Sequence, residues 1–382
     1  MSRSIHSRRN QGSDACLSPN GQMQQDTAAP PTRLLVATVT GIAVLEREAP
    51  DAEWHLRSMA LEDRHISAVT ALPDHPGIFA GTHGDGIYFS ADGGTFWEQR
   101  SAGVSIPNIY TLAGVERRGG RAIYAGTEPA ALFRSLDEGA SWQELPAIRR
   151  VPGTERWTFP APPHIAHTKM LAFDPRDRDI YFAAIEQGAL LKTSDGGESW
   201  RELDSYSRAD DRAYRDVHQL MLVPSRPDTM FMTTGIGLYR SDDGGARWER
   251  LTGADFRLAY PDHIVMSPDE TTIFMSGAAA DPGVWRKSRD AGAAILRSRD
   301  GGIRWELLHH GIPETSRCSI EAMSLVSYPG GFSLFLGNTD GEVYLSEDGG
   351  DSWSKIADGL GPVSKGNHFM PLRKSSTEGN RL

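Results

Sequence analysis

An all-β ring of repeated four-stranded sheets, a β-propeller, is the fold this sequence predicts, and three observations predict it. An eight-residue box recurs six times, each copy sits among short alternating apolar segments, and the copies are spaced as one repeating unit. The boxes read SADGGTFW at Ser90, SLDEGASW at Ser135, TSDGGESW at Thr193, SDDGGARW at Ser241, SRDGGIRW at Ser298 and SEDGGDSW at Ser346. Their aspartates, Asp92, Asp137, Asp195, Asp243, Asp300 and Asp348, follow one another at intervals of 45, 58, 48, 57 and 48 residues. A period of roughly 40 to 50 residues marks one supersecondary unit stacked on itself.

Each letter of the box has a physical task. The glycine pair, Gly93-Gly94 in the first copy, permits positive φ in a tight turn. The aspartate accepts hydrogen bonds from the turn's own amides, and the leading Ser or Thr adds a weaker local bond. Three residues after the second glycine stands a tryptophan: Trp97, Trp142, Trp200, Trp248, Trp305 and Trp353. A large ring repeated in register fills a repeated gap, most simply the gap between adjacent sheets. The six aspartates are therefore read as structural, with calcium or sugar sites as the functional alternative.

The rest of each unit reads as strand. Before the first box come SAVTAL, GIFAGTH and GDGIYFS, and FWEQR follows it. The cadence recurs from IYTLAGV, KMLAFD, HQLMLV, HIVMS and AMSLVS onward. Four short strands per unit fit a propeller better than a barrel or sandwich.

The two ends decide the blade count. Residues 34–56 resemble a unit that lacks a box and a first strand but keeps Trp54, while NHFMPLR from Asn367 reads as a lone first strand. Pairing these N- and C-terminal segments makes a seventh blade and covers edges that would otherwise pair with other chains. Six blades is the alternative, if the N-terminal segment is only a flank. The expected division is a disordered tail at 1–32, one propeller domain at 33–373 and a flexible tail at 374–382.

Composition agrees with a soluble ring of thin, repeated cores: 382 residues with a mean hydropathy of −0.42. No stretch of 18 apolar residues exists, so no membrane-spanning helix is expected. Residues 1–32 hold no apolar run and do not read as a signal peptide, which makes a cytoplasmic location the expectation. Cys16 and Cys318 give neither a disulfide framework nor a cysteine zinc site, and no cofactor is expected. A net charge of −10 without a basic stripe argues against a nucleic-acid partner.

The boxes resemble the Asp-box, or BNR, repeat of sialidases, sortilin-type receptor domains and photosystem II assembly factors, from about Leu34 to Leu372. Glu138 replaces the first glycine of the second box, and Phe96, Arg247 and Arg304 replace the usual hydroxyl before tryptophan. None of these departures removes the aspartate, the second glycine or the tryptophan. The resemblance implies a propeller with its boxes on the turn between third and fourth strands, facing away from the ligand-binding mouth.

Function in such folds lies in irregular loops. The long links from Pro146, Asp204 and Thr252, and an insertion from Gly277, all fall on the face opposite the boxes. They carry Trp157 and Trp285, two tryptophans outside the repeat, together with Arg212, Tyr214 and Arg286. Rings among guanidinium groups suit a sugar, a carboxylate or a protein partner. The alternative is that they pin long loops to the rim.

A second constellation lies at the start of the first strands, where the innermost strands border the central channel. It comprises His65, His167, Asp216 with His218, Asp262 with His263, Glu321 and His368, with Asp340 also expected at the mouth. Such residues line a wet tunnel, or they serve as acids, bases and ligands; no HExxH, cysteine pair or His-x-His marks a metal.

Two functional readings follow. The first is a non-catalytic binding or assembly platform that recognises a protein partner, a carbohydrate or a small molecule on the face opposite the boxes, as the resemblance to single-ring photosystem II assembly factors implies. The second is a glycoside hydrolase or lyase using Asp216, His218, Asp262 and Glu321, since glycosidases need two carboxylates across the scissile bond. Sialidase chemistry is disfavoured, because the Phe/Tyr-Arg-Ile-Pro segment of that family is missing.

Overall fold

The computed structural model describes residues 14–72, 75–117, 119–160, 162–205, 215–253 and 255–365. Seven sheets surround a central channel, and the chain passes through them in sequence. In the second to seventh blades each sheet runs outward from its first strand to its fourth. The second blade, for example, pairs Ile66–Ala71, Ile78–Thr82, Ile87–Ser90 and Glu98–Gln99 in antiparallel order.

The cores lie between the blades, one hydrophobic cluster at each of the seven interfaces. Each box tryptophan packs into the interface with the preceding blade: Trp97 against Leu35 and Ile78, Trp142 against Phe79 and Phe89, Trp353 against Phe274. The degenerate first unit does the same with Trp54, which meets Phe335 of the seventh blade edge-on at 6.0 Å. A thin sheet cannot bury both faces alone, so the shared aromatic layer makes each blade depend on its neighbours.

The box turns carry the expected bonds. In the first, Ser90 Oγ donates to Asp92 Oδ1 at 2.8 Å and accepts from the Gly94 amide at 2.7 Å. Asp92 Oδ1 also accepts from the Thr95 and Phe96 amides at 3.1 and 2.9 Å. Gly93 and Gly94 take φ of 74° and 86°. Glu138, standing where other boxes have glycine, is held at φ 56°.

Ring closure departs from the expected tail. Residues 14–32 belong to the ring. The innermost strand of the first blade is β1 (Asp14–Leu17), which pairs parallel to Arg33–Thr38. A second segment, β2 (Gln24–Asp26), adds a parallel fifth strand inside Ile320–Tyr328 of the seventh blade. The N-terminal stretch therefore joins first and last blades, and the C-terminal segment helps, since Pro362 accepts from the Val39 amide at 2.9 Å and Val363 donates to the Asn338 carbonyl at 3.1 Å. The strand expected from Asn367 lies outside the described residues. Composition misled here because channel strands need few apolar side chains. Ala15, Cys16 and Leu17 are buried, and polar side chains satisfy the neighbouring backbone. Gln25 accepts from the Cys16 amide at 2.9 Å and donates to the Cys16 carbonyl at 2.7 Å. Outside the channel, the Arg47 guanidinium forks onto Glu347 of the seventh blade at 2.8 and 3.2 Å.

Candidate functional site at the channel mouth

One backbone irregularity, repeated in six blades, builds the mouth. Each first strand from the second to the seventh blade slips register near its start, at the second residue in five blades and at the third in the sixth: Ser67, Tyr110, Lys169, His218, Asp262 and Glu321. A bulge leaves one residue unpaired in the ladder and re-aims its side chain. All six are buried. Beside them, just past the second strands, stand His83, Glu128 and Glu186. The repeat thus fixes where a polar group enters the channel and leaves its identity free.

The groups neutralise one another in two nests. In the first, Glu186 receives His167 Nε2 at 2.6 Å and Lys169 Nζ at 2.9 Å, and Glu128 lies 3.3 Å from His167 Nδ1. Tyr110 stacks on the His167 ring with centroids 3.6 Å apart. In the second, Lys365 pairs its ammonium with Asp262 and donates its amide to Glu321 at 3.1 Å. Ser364 Oγ donates to the same Glu321 oxygen at 2.9 Å. His65 and His83 contact the Ser364 and Lys365 carbonyls at 3.1 and 3.4 Å, and Asn20 donates to the Lys365 carbonyl at 3.3 Å. Both ends of the described chain therefore meet inside the channel.

Burial and pairing set the protonation of these groups. Burial opposes the charge on Asp262, but Lys365 and then His263 outweigh it and hold the carboxyl well below the usual range. Burial likewise opposes the Glu186 charge, and Lys169 and His167 overcome it in the same direction. For the Lys365 cation, Asp262 and Glu321 outweigh the burial penalty and raise its pKa. His167 is raised despite burial because Glu128 and Glu186 accept from it. His83 is pushed down to about 4 by burial and by the neighbouring His65, and His263 to about 4 by burial.

Above the nests opens a cavity of about 180 Å³, lined by Glu186, Asp216, Asp262, Glu321, Lys365, Tyr260, Phe159, Pro160, Trp285 and Arg286. The expected convergence of Asp216, Asp262 and Glu321 is present, and His218 sits behind Asp216 at 3.4 Å. His65 and His263 contact the Ser364 and Pro19 carbonyls, each at 3.1 Å, and His167 lies in the first nest. Asp340 does not join them: it sits at the turn after Gly331–Asn338, beside Cys318, whose thiol is pushed up to about 12 by burial and by that carboxyl. Arg212, Tyr214 and His368 lie outside the described residues.

The tryptophans of the long loops are less available than expected. Trp285 is buried on a short helix, α1 (Pro282–Ser288), and packs into the interface between sixth and seventh blades. Asp281 caps that helix by accepting from the Gly283 amide at 2.8 Å. Trp157 is half-buried against the interface of third and fourth blades. An apolar ring on a long loop is anchored by the nearest interblade seam, which leaves Phe159 and Arg286 as the half-buried walls of the cavity. Sequence reasoning missed Glu128, Lys169, Glu186 and Lys365. Aligning the residue after each second strand would have found Glu128 and Glu186; nothing in the repeat points to Lys365.

A seven-bladed ring fastened by Asp-box turns defines a BNR-type β-propeller, and the chain is one. The sequence profile of the family described as photosynthesis system II assembly factor YCF48 matches residues 46–166. Curated relatives include a xyloglucanase from Paenibacillus sp, 25% identical over 140 residues that make up 32% of this chain and 13% of the relative. Another is the xyloglucanase Xgh74A of Acetivibrio thermocellus, 25% identical over 256 residues, 55% of this chain and 29% of the relative. The chain thus spans less than a third of these relatives' length. Among solved structures, an ancestral GH74 enzyme is similar with a TM-score of 0.60 at 18% identity, covering 77% of this chain and 38% of that one. YCF48 bound to D1 peptide is similar with a TM-score of 0.55 at 17% identity, covering 83% and 90%.

Proposed function

We propose that the protein is a non-catalytic docking propeller that takes up a peptide segment of a protein partner at the channel mouth. One observation carries this reading: the chain's own Ser364 and Lys365 occupy the mouth and engage both Asp262 and Glu321. A glycosidase needs one carboxyl free to donate a proton and another free to face the sugar. Asp262 is kept ionised by a buried ammonium, and Glu321 accepts two hydrogen bonds from the chain itself. What remains open is a small cavity with an aromatic wall, a guanidinium and backbone edges, a surface suited to a peptide side chain. The match to YCF48 bound to D1 peptide, which covers 83% of this chain and 90% of that one, supports the same reading, whereas the GH74 chain is more than twice as long as the part covered.

The test is to pan a displayed library of random peptides against the purified full chain and measure affinity for the Phe159→Ala/Arg286→Ala variant. Enriched peptides should lose about tenfold or more in affinity, roughly 1.4 kcal/mol, while xyloglucan remains uncleaved. Hydrolysis of xyloglucan that disappears in Asp216→Asn would overturn the reading in favour of the enzyme.

A further inference from the structure

We propose that Glu186, Asp216 and His218 form a binding site for one divalent first-row metal ion at the channel mouth, with Zn²⁺ the best match. One carboxylate oxygen from each acid and one imidazole nitrogen lie within 4.8 Å of one another, and all three residues are buried. Zinc takes such ligands at about 2.0–2.2 Å in a tetrahedral shell, so two ligand atoms stand roughly 3.3–3.6 Å apart, and atoms within 4.8 Å of one another close on an ion with shifts of under about 1 Å each.

The independent observation is the state of His218. Its Nδ1 lies 2.6 Å from the Pro261 carbonyl, which only accepts, so the Nδ1 carries the proton. With Nδ1 turned to that carbonyl, Nε2 is the ring nitrogen that faces the site. It is buried without a hydrogen-bond partner, in a residue 1% exposed, and faces Asp216 Oδ1 at 3.4 Å. Two acceptors aimed at each other in a buried site need a positive centre between them. A backbone carbonyl that fixes the far nitrogen is the arrangement by which proteins orient a metal-binding imidazole. One imidazole with two carboxylates is an ordinary set for Zn²⁺.

The surrounding charge favours the same conclusion. Five buried or half-buried carboxylates (Glu128, Glu186, Asp216, Asp262 and Glu321) meet the cations Lys169, Lys365 and His167. Half-buried Arg286 in the cavity wall adds a fourth and still leaves an anion in excess. Glu186 and Asp216 also line the cavity, so further coordination positions open toward it. The inference is independent of the docking reading: a metal bound without any peptide, or a peptide without any metal, leaves the other intact.

The experiment uses the full chain without an affinity tag, stripped with chelator, in a His309→Gln/His310→Gln background that removes an exposed imidazole pair. Calorimetric titration with ZnCl₂ alone should give one equivalent per chain. Asp216→Asn and His218→Gln should each weaken it by about 100-fold, at least the scale on which even outer partners of a metal ligand register. X-ray absorption of the zinc-loaded parent protein, which needs no further variant, should show a single imidazole with oxygen ligands. Absence of saturable binding, binding unchanged in both variants, or a shell with two or more imidazoles would overturn the site. So would nitrogen NMR showing His218 doubly protonated with zinc in excess, because a proton would then fill the gap.

Discussion

At the six boxes one bond pattern recurs with little variation, whereas at the opposite ends of the same sheets one bulge recurs with a different residue every time. Ser or Thr Oγ bonds the aspartate at 2.7–3.0 Å in all six turns. The bulge residues run Ser67, Tyr110, Lys169, His218, Asp262 and Glu321. Folding needs the same fastener in each blade, so the box face is uniform. The mouth has a different group at each bulge, and its charges make sense only as a set. A difference of this kind separates what the ring needs from what the individual protein needs.

The largest effect should come from breaking that set. Lys365→Met leaves Asp262 and Glu321 in the channel without their ammonium, and removing one member of a buried pair costs about 3–5 kcal/mol. Denaturant unfolding of the variant against the parent measures it. A cost under about 1 kcal/mol would mean that water reaches the mouth and that the contrast between the two faces is weaker than drawn. Asp262→Asn/Lys365→Met together should cost less than the two changes summed, since neither leaves its partner charged.

Acid should act next, and on the mouth. His83 and His263, both near 4 in the folded protein, titrate near 6.5 when unfolded. Between those values the unfolded chain binds more protons, so stability is full at pH 7 and falls as pH drops from about 6.5 toward 4. Each contributes of order 3 kcal/mol over that window. His167 has the opposite sign: raised in the fold, it stabilises below about 6.5 and loses that contribution as pH rises through its folded value. His83→Asn should therefore flatten the acid limb of a melting-temperature profile, and an unchanged limb would assign acid sensitivity elsewhere.

Smaller and more uniform effects belong to the boxes. Ser90→Ala strips the Gly94 amide of its acceptor and should cost about 1 kcal/mol. Ser135→Ala, Ser241→Ala and Ser298→Ala should match it within about 0.5 kcal/mol and add when combined, because the turns are far apart and share no partners. Unequal costs, read from unfolding midpoints, would show that the fasteners are not equivalent.

The sequence carried the ring plainly because its signals are local. Six Asp-Gly-Gly turns and their tryptophans set blade register without reference to anything distant. Trp54 marked the degenerate unit, and first-strand polarity marked Asp216, Asp262 and Glu321. The closing strands escaped because Asp14–Leu17 and Gln24–Asp26 are stabilised by partners elsewhere: Gln24 bonds Met266, Thr111 donates to Asn20, and Asn20 bonds Lys365. Such long-range polar bonds leave no periodicity to read. Lys169 and Lys365 were hidden for the same reason, since a buried lysine is recognisable only once its carboxylates surround it. Trp285 was misjudged because exposure on a loop cannot be told from anchoring to a seam.

The smallest expected effect tests whether the uniform face is at its optimum. Glu138 occupies the left-handed region at φ 56°, where five other boxes have glycine, and an L-residue there pays about 1–2 kcal/mol. Against this stand its 3.5 Å contact with His75, partly exposed at both ends and worth less than about 1 kcal/mol, and the extra freedom that glycine gives the unfolded chain. The Arg100 bond to the Glu138 carbonyl survives substitution because it uses only backbone. Glu138→Gly should therefore raise stability by about 0.5 kcal/mol, read as a higher unfolding midpoint at pH 7. A loss instead would show that the His75 contact outweighs the strain, and that this box, unlike its five counterparts, has exchanged turn geometry for a bond between neighbouring blades.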